Sequence, residues 1–205
     1  MSPKRSMSST RNLRSHIDVR CLTRFALAIG LLITLSVRIA AADEPATHPL
    51  VTARSHASFD VKHLYLLSVK GTLPIVSGSA VFDPRTGLPA HVEATLDARR
   101  IKTDDADRDD DLQGPDWFET NRFPLWTFSS TTIAATDTGF LMRGSLTVHG
   151  VAQPVTLDVR QVRRLPHPVY HAAGNLDRRL FGMKVTPQDG LIGKDVAISL
   201  DVEFL

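Results

Sequence analysis

The stretch DVAISLDVEF, residues 195–204, alternates apolar and polar side chains without a break. Successive side chains of a β-strand point to opposite faces, so a period of two predicts a strand with one buried face. The apolar set is Val196, Ile198, Leu200, Val202 and Phe204, and the polar or small set is Ala197, Ser199, Asp201 and Glu203.

The same alternation recurs upstream, for example at 92–98, 140–148 and 155–159. Short turns such as DPRTG at 83–87 separate the apolar runs. Nine strands are predicted, at 51–63, 66–75, 78–83, 90–98, 125–134, 139–149, 154–163, 169–178 and 195–204. The second and third can equally be one strand bent at Gly71 or Gly78, which leaves eight. We find no internal repeat. The pattern predicts an all-β fold, an antiparallel up-and-down sheet that is closed or strongly curled.

One segment, TDDADRDDDLQGPDWFE at 103–119, has no alternation and carries eight acids. It predicts a short helix that Thr103 or Asp104 caps and that Gly114-Pro115 ends, with acids favoured in the first turn by the helix dipole. The spacing lacks the glycine and glutamate of a calcium-binding loop, so a solvated acidic face is the better interpretation.

An arginine lies within this acidic run. Arg108 is flanked by Asp107 and Asp109. A guanidinium group can bind a carboxylate through two hydrogen bonds, so we expect a bidentate ion pair that fixes the segment to the sheet.

The first 42 residues differ in composition from the rest. They contain seven Lys or Arg against one acid, then the apolar run FALAIGLLITLSV at 25–37, then AAA at 40–42. This pattern predicts a secretory signal peptide cleaved after Ala42, with an uncleaved anchor as the alternative. We therefore expect export to the periplasm, a linker at 43–50 and one domain at 51–205. That remainder has 17 basic and 21 acidic residues, so the basic pI gives no support for nucleic-acid binding.

Motifs for catalysis are missing from the sequence. There is no G-x-S-x-G elbow, no P-loop, no G-x-G-x-x-G and no H-E-x-x-H, and the single cysteine, Cys21, precedes the apolar run. We expect no catalytic residue, no metal site and no enzymatic activity. Aromatic side chains occur in almost every predicted element. They indicate either a packed core or the wall of an eight-stranded barrel that encloses one small ligand.

Several short motifs, each weak alone, occur in a fixed order. They are HASFDVKH (56–63), VKG (69–71), RD (108–109) with Leu112, GPDWF (114–118), FP (123–124), TFSST (127–131), GSLTVHGV (144–151) with PV (154–155), and FGM (181–183). In order and spacing this set resembles the YceI-like, polyisoprenoid-binding, lipocalin-like family. The resemblance covers residues 50–205. The chain departs from the family pattern at Asp111, where a histidine is usual, at Arg99-Arg100 and at Leu180.

The resemblance implies an antiparallel eight-stranded lipocalin-like β-barrel with a short helical insertion around 103–120. It also implies a periplasmic carrier without catalytic activity or cofactor, holding a long isoprenoid such as a quinone or its precursor. We allow for transient membrane contact during loading and for a homodimer. The predicted lining residues are Phe59, Val61, Leu73, Phe82, Leu96, Phe118, Phe128, Leu146, Phe181 and Met183. The predicted mouth residues, which would orient a head group, are His63, Arg108 and His149.

Two other interpretations stay open at this point. One is a small barrel enzyme that modifies lipid or serves quinone-linked redox chemistry. The other is a barrel with a dry core that works through protein contacts.

Overall fold

The computed structural model describes residues 46–64, 67–183 and 190–205. The predicted signal peptide lies outside these residues. Over the described ranges, helices are too short or too polar to cross a bilayer.

Antiparallel strands make up most of the described chain. They are β1 (Thr47–Pro49), β2 (His56–His63), β3 (Leu67–Phe82), β4 (Pro89–Asp97), β5 (Leu125–Ala135), β6 (Phe140–Val148), β7 (Val151–Arg163), β8 (Val169–Asp177) and β9 (Ile192–Glu203). One α-helix, α1 (Ala106–Gln113), lies between β4 and β5. Among the described residues, short 3₁₀ turns span Thr52–Arg54, Ala98–Arg100 and Arg178–Phe181.

Strands β2 to β9 form a closed eight-stranded barrel, which confirms the predicted fold class. β3 makes the closure because its first half pairs with β2 and its second half pairs with β4. The two runs at 66–75 and 78–83 are therefore one continuous strand. Between them lies a register shift against β4, near Ser77.

The predicted linker at 43–50 is wrong for its second half. Residues Thr47–Pro49 pair with β3 as the short strand β1, and Leu50 is buried in the core. A three-residue strand is too short to show a period of two, so β1 was not predictable from the alternation.

Burial follows the alternation that predicted the strands. Along β7, Val155, Leu157 and Val159 are buried, whereas Thr156 and Asp158 between them are exposed. Two glycines let aromatic rings lie flat against neighbouring strands. A Cβ at Gly71 would come within 2.2 Å of the Phe59 ring, and one at Gly144 within 2.4 Å of the Phe128 ring.

The two ends of the barrel differ. We call the end with the β3–β4, β5–β6 and β7–β8 turns the closed end. Four aromatic side chains pack there, with ring centroids between 5.9 and 6.2 Å apart in four pairs: Phe82, Phe140, Tyr170 and Phe204. Burial raises the pKa of the Tyr170 phenol. Beside the cluster, the buried Glu203 carboxylate accepts from Arg54 and Arg163, each at 2.8 Å.

The opposite end, which we call the open end, carries the β2–β3, β4–β5, β6–β7 and β8–β9 connections. Two of these connections begin with the same local structure. In LDARRI (96–101) and LDRRLF (176–181), the aspartate ends a strand, caps a 3₁₀ turn and binds the arginine two residues later through both carboxylate oxygens. The prediction that the chain has no internal repeat is wrong for this pair of segments, which are only six residues long.

These pairs stabilise the charged form of each aspartate. Hydrogen bonds from Arg179 lower the pKa of Asp177 to about 2. Hydrogen bonds from Arg99 likewise lower the pKa of Asp97.

Candidate ligand cavity

The barrel encloses a cavity of about 840 Å³. Its walls are mostly apolar side chains that face inward from all eight long strands. Among them are Ala57, Phe59, Val61, Val69, Leu73, Ile75, Val92, Ala94, Leu96, Trp126, Phe128, Met142, Leu146, Val155, Leu157, Ala172, Leu176, Val196, Ile198, Leu200 and Val202.

Charged groups line the cavity at the open end. His63 ends β2, Arg178 follows β8, and Arg108, Asp111 and Asp116 come from the β4–β5 connection. Asp111 and Asp116 are exposed to solvent, so the cavity reaches water on this side. This end is the mouth of the cavity.

Helix α1 covers part of the mouth, and its start differs from the prediction by one residue. Asp105 is the N-cap, and its side chain accepts from the Arg108 backbone N–H at 3.0 Å. Gly114 ends the helix, as expected. The acidic residues of α1 are exposed except Asp109.

Asp109 fixes α1 to the barrel. One of its oxygens accepts from the backbone N–H and from the hydroxyl of Thr103, both at 2.7 Å. The Lys102 ammonium lies 3.3 Å from the other oxygen, and Lys102 itself pairs with Thr72 of β3. Burial acts to raise the pKa of Asp109, but the hydrogen bonds from Thr103 and the Lys102 charge outweigh it, so the pKa is lowered.

The predicted ion pair of Arg108 with Asp107 or Asp109 is wrong. The Arg108 guanidinium donates instead to the hydroxyl and carbonyl oxygens of Thr103, at 2.8 and 2.6 Å. The carboxylate nearest to it is Asp105, at 3.7 Å. Thr103 and Lys102 occupy the two oxygens of the buried Asp109, and Arg108 instead binds Thr103.

A second arginine organises the other side of the mouth. Arg178 is buried and donates to the carbonyl oxygens of Ile192 and Gly193, at 3.1 and 2.9 Å. Its guanidinium also lies 5.8 Å from the ring centre of Trp117. It therefore joins the start of β9 to the β4–β5 connection.

The structure places nine of the ten predicted lining residues on the cavity wall; the exception is Phe82. Phe82 belongs to the aromatic cluster at the closed end, where it stacks on Tyr170. Alternation within a strand does not say how far along the barrel a side chain lies, so this residue could not be separated from the others.

Two of the three predicted mouth residues, His63 and Arg108, also border the cavity. His149 does not. It lies in the β6–β7 turn with φ +51°, packs edge-on against Phe123 at 4.7 Å, and has its Nε2 3.5 Å from a Glu119 oxygen.

Three residues of the mouth were not among those predicted. Trp117, Trp126 and Arg178 all border the cavity. Trp126 packs edge-on against Phe118, with ring centres 4.7 Å apart. The period of two places Trp126 and Phe128 on one face of β5, a signal that was present. Arg178 and Arg179 are adjacent in the sequence, and no sequence feature indicated that Arg178 would be the one that borders the cavity.

A closed antiparallel barrel with one apolar cavity and a polar mouth is the architecture of lipocalin-like ligand-binding barrels. Within the residues that the structure describes, His, Cys, Asp and Glu form no group of three that could hold a metal ion.

Comparison with known proteins gives the family. The model of the YceI-like domain matches residues 49–204, and the chain belongs to this family. A UPF0312 protein of Yersinia pestis is 28% identical over 189 residues, which cover 88% of this chain and 95% of that protein.

Two solved structures share the fold. BcnA of Burkholderia cenocepacia is 22% identical with a TM-score of 0.69, covering 75% of this chain and 98% of BcnA. A polyisoprenoid binding domain from Saccharophagus degradans is 13% identical with a TM-score of 0.55, covering 78% of this chain and 98% of that domain.

Proposed function

We propose that this protein is an exported carrier that holds a long apolar lipid, a polyisoprenoid or an isoprenoid quinone, inside its barrel. The observation that carries the proposal is the cavity of about 840 Å³ with mostly apolar walls. Removing the apolar surface of a lipid chain from water supplies roughly 25 cal/mol per Å², so binding needs no special polar site.

The size of the cavity argues for a ligand over a dry core. A void left by core residues costs about 24 cal/mol per Å³. A dry space of 840 Å³ would thus cost about 20 kcal/mol on that scale. Stability is typically about 5–15 kcal/mol, so the space holds water or ligand. Water gains few hydrogen bonds from apolar walls, whereas a hydrocarbon chain loses none.

The charged residues that line the cavity all lie at its mouth, which suits a ligand with an apolar body and a polar tip. His63 and Arg108 are the residues we expect to contact the tip. Arg108 already donates to Thr103, so it can offer a head group only donors that Thr103 does not use.

The relatives favour the same ligand class. The Saccharophagus neighbour is a polyisoprenoid binding domain. At 13% identity its likeness concerns the fold alone, so the cavity of this chain remains the main support. Export to the periplasm, with cleavage after Ala42, is part of the proposal and rests on the leader pattern.

The test is made on protein exported to the periplasm of a bacterial host and purified without detergent. Native and denaturing mass spectra are recorded, and any released lipid is identified. We expect a denatured chain beginning at Asp43 and one isoprenoid per protein. Added C45 polyprenol should raise Tm, because a ligand of the folded state stabilises it by RT ln(1 + [L]/Kd).

A variant that fills the cavity provides the contrast. Val61→Trp/Ala94→Trp adds two indoles to the cavity wall. Ala152→Trp, at an exposed position of β7, is the matched control. We expect the filled variant to lose at least tenfold in polyprenol affinity and the control to lose nothing. A wild-type protein that is lipid-free and gains no Tm would favour a structural barrel. Conversion of the lipid that depends on one His or Asp would instead indicate an enzyme.

A further inference from the structure

Four leucines are exposed to solvent at the open end. Leu64 and Leu67 flank the β2–β3 turn, and Leu180 and Leu191 belong to the β8–β9 connection. Between 43% and 59% of each residue is accessible to water. Turns normally carry polar residues together with Gly or Pro, so leucines at these positions need a reason. We call these four residues the leucine rim.

The rim belongs to two connections that are bonded to each other. The Leu64 backbone N–H donates to the Leu191 carbonyl at 2.7 Å. Arg178, two residues before Leu180, donates to the carbonyls of Ile192 and Gly193 directly after Leu191. Strands β2 and β9 are also neighbours in the barrel. The rim therefore extends over one side of the open end, from β3 and β2 past β9 to Leu180, whose carbonyl accepts from Gln153 of β7 at 2.9 Å.

The rim is continuous along the chain with the cavity wall. Leu64 follows His63, Leu180 precedes Phe181, and Leu191 precedes Ile192; these three neighbours all line the cavity. Leu67 lies two residues from Val69, which also lines it. An apolar surface thus leads from solvent to the interior on this side of the mouth.

We propose that the leucine rim docks on a phospholipid bilayer, so that an apolar chain passes between bilayer and cavity without crossing water. The proposal rests on the proposed lipid-carrier function. Insertion of apolar side chains to the depth of the head groups is the usual basis of such reversible docking.

The charges beside the rim fit a bilayer with anionic lipid. Lys62 lies two residues before Leu64 on β2, and Lys194 lies three residues after Leu191 on β9; both are exposed. The Lys194 ammonium is 4.0 Å from the exposed Asp195 carboxylate, so Lys62 is the stronger source of positive charge beside the rim. Cations close to an anionic surface add to membrane affinity. The exposed acids of α1, such as Asp107 and Asp110, belong to a different connection, that between β4 and β5. An anionic surface would therefore favour contact through the β2 and β9 side.

The closed end provides a rival surface and a matched control. The β7–β8 hairpin exposes Val162 and Leu165, at 59% and 77%, and carries Arg160, Arg163 and Arg164. This hairpin is also apolar and basic, but its exposed apolar residues do not line the cavity. Docking through it would turn the mouth away from the bilayer.

The experiment measures flotation with vesicles of phosphatidylcholine and phosphatidylglycerol at 3:1, using the protein as its exporting host processes it. The rim variant is Leu64→Ser/Leu67→Ser, and the control is Val162→Ser/Leu165→Ser. We expect the rim variant to lose at least tenfold in its partition coefficient and the control to change less than twofold. Both variants alter exposed residues, so their Tm should stay near that of the wild type.

Three outcomes would overturn the proposal. Loss of binding in the control alone, with binding that collapses between 50 and 500 mM NaCl, would assign docking to the arginine hairpin. Binding that neither variant lowers would mean that another part of the chain holds the bilayer. If the wild type does not bind vesicles even at 50 mM NaCl, the rim does not dock on a bilayer.

A second measurement separates failure of docking from failure of the carrier function. C45 polyprenol is offered either from ethanol solution or from vesicles. The rim variant should keep the full rise in Tm with dissolved polyprenol but take it up from vesicles at least fivefold more slowly. If even the wild type never binds polyprenol, the carrier function fails, whereas the flotation result still decides whether the rim docks.

Discussion

The two ends of the barrel use the same residue types for opposite purposes. At the closed end, Phe82, Phe140 and Tyr170 pack on one another and fill the space between the strands. At the open end, Phe118 and Trp126 also touch, but both also line the cavity.

The connections explain this difference. At the closed end the β3–β4 and β5–β6 turns are short, and the C-terminal Phe204 reaches into the barrel. At the open end the β4–β5 and β8–β9 connections are longer, and each begins with an aspartate–arginine pair that directs the chain. Aromatic content alone therefore does not distinguish a core from a binding site, because the neighbouring loops determine whether the rings pack together or line a cavity.

The largest effect should follow removal of an aromatic side chain from the closed end. Phe140 is buried and packs edge-on against Tyr170. Phe140→Ala should cost about 3–5 kcal/mol in the free energy of unfolding, since the space it leaves lies among packed rings. Urea denaturation followed by tryptophan fluorescence measures the loss. A loss below about 1 kcal/mol would mean that the closed end is not the packed end.

The matching change at the open end sharpens the contrast. Phe118 is only half-buried, on the cavity wall. Phe118→Ala should cost about 1 kcal/mol in stability, because much of the ring already contacts the cavity. It should nonetheless weaken polyprenol binding severalfold, which titration of intrinsic fluorescence can measure. Phe140→Ala, folded and tested below its Tm, should bind polyprenol like the wild type.

A third change tests how the cover of the mouth is held. Asp109→Ala removes the acceptor of two hydrogen bonds and leaves the Thr103 N–H and hydroxyl buried without it. We expect a loss of about 1–3 kcal/mol. Hydrogen exchange should accelerate in α1 and not in the closed-end strands. Asp110→Ala, at an exposed position beyond the first turn of the same helix, is the control and should change neither quantity.

The barrel was predictable from the sequence because side chains along the long strands alternate between the barrel interior and the outer surface. Strand β7 shows the period of two directly. In β9 the sequence alternates, but Glu203 of the polar set is buried by its ion pairs with Arg54 and Arg163. The prediction failed where no period can form, as at β1. For β3 it left two strands or one bent strand open, and the structure confirms the single strand. Pairing of β3 with two different neighbours is a property of the closed sheet, which no local window contains.

The face of the strand on which a residue lies also predicted which residues line the cavity. It did not predict how far along the barrel axis each residue lies. Phe59 and Phe82 have similar sequence surroundings, and only closure of the barrel sends one to the cavity and the other to the aromatic cluster. The partner of Arg108 was unpredictable for another reason. Burial selects one aspartate of the acidic run, Asp109, and the contacts of its neighbours follow from that choice.

The smallest effect concerns the aspartate–arginine pair at the open end. The folded-state pKa of Asp177 is lowered from 3.8 to about 2. Its contribution to stability is therefore fully present above about pH 4 and is lost as pH falls from there through 2. Because Arg179 is more than half exposed, solvent screening reduces the contribution to about 1 kcal/mol or less.

Asp177→Asn keeps a capping side chain but removes the charge, so it isolates this term. The wild type and the variant should differ at pH 6 and converge towards pH 2, as measured by urea denaturation across that range. If the two proteins are equally stable at pH 6, the cap that both retain, and not the ion pair, stabilises the turn. Because the turn continues into Arg178 and the start of β9, a measurable effect would also show that the open end is held by polar contacts, in contrast to the aromatic packing of the closed end.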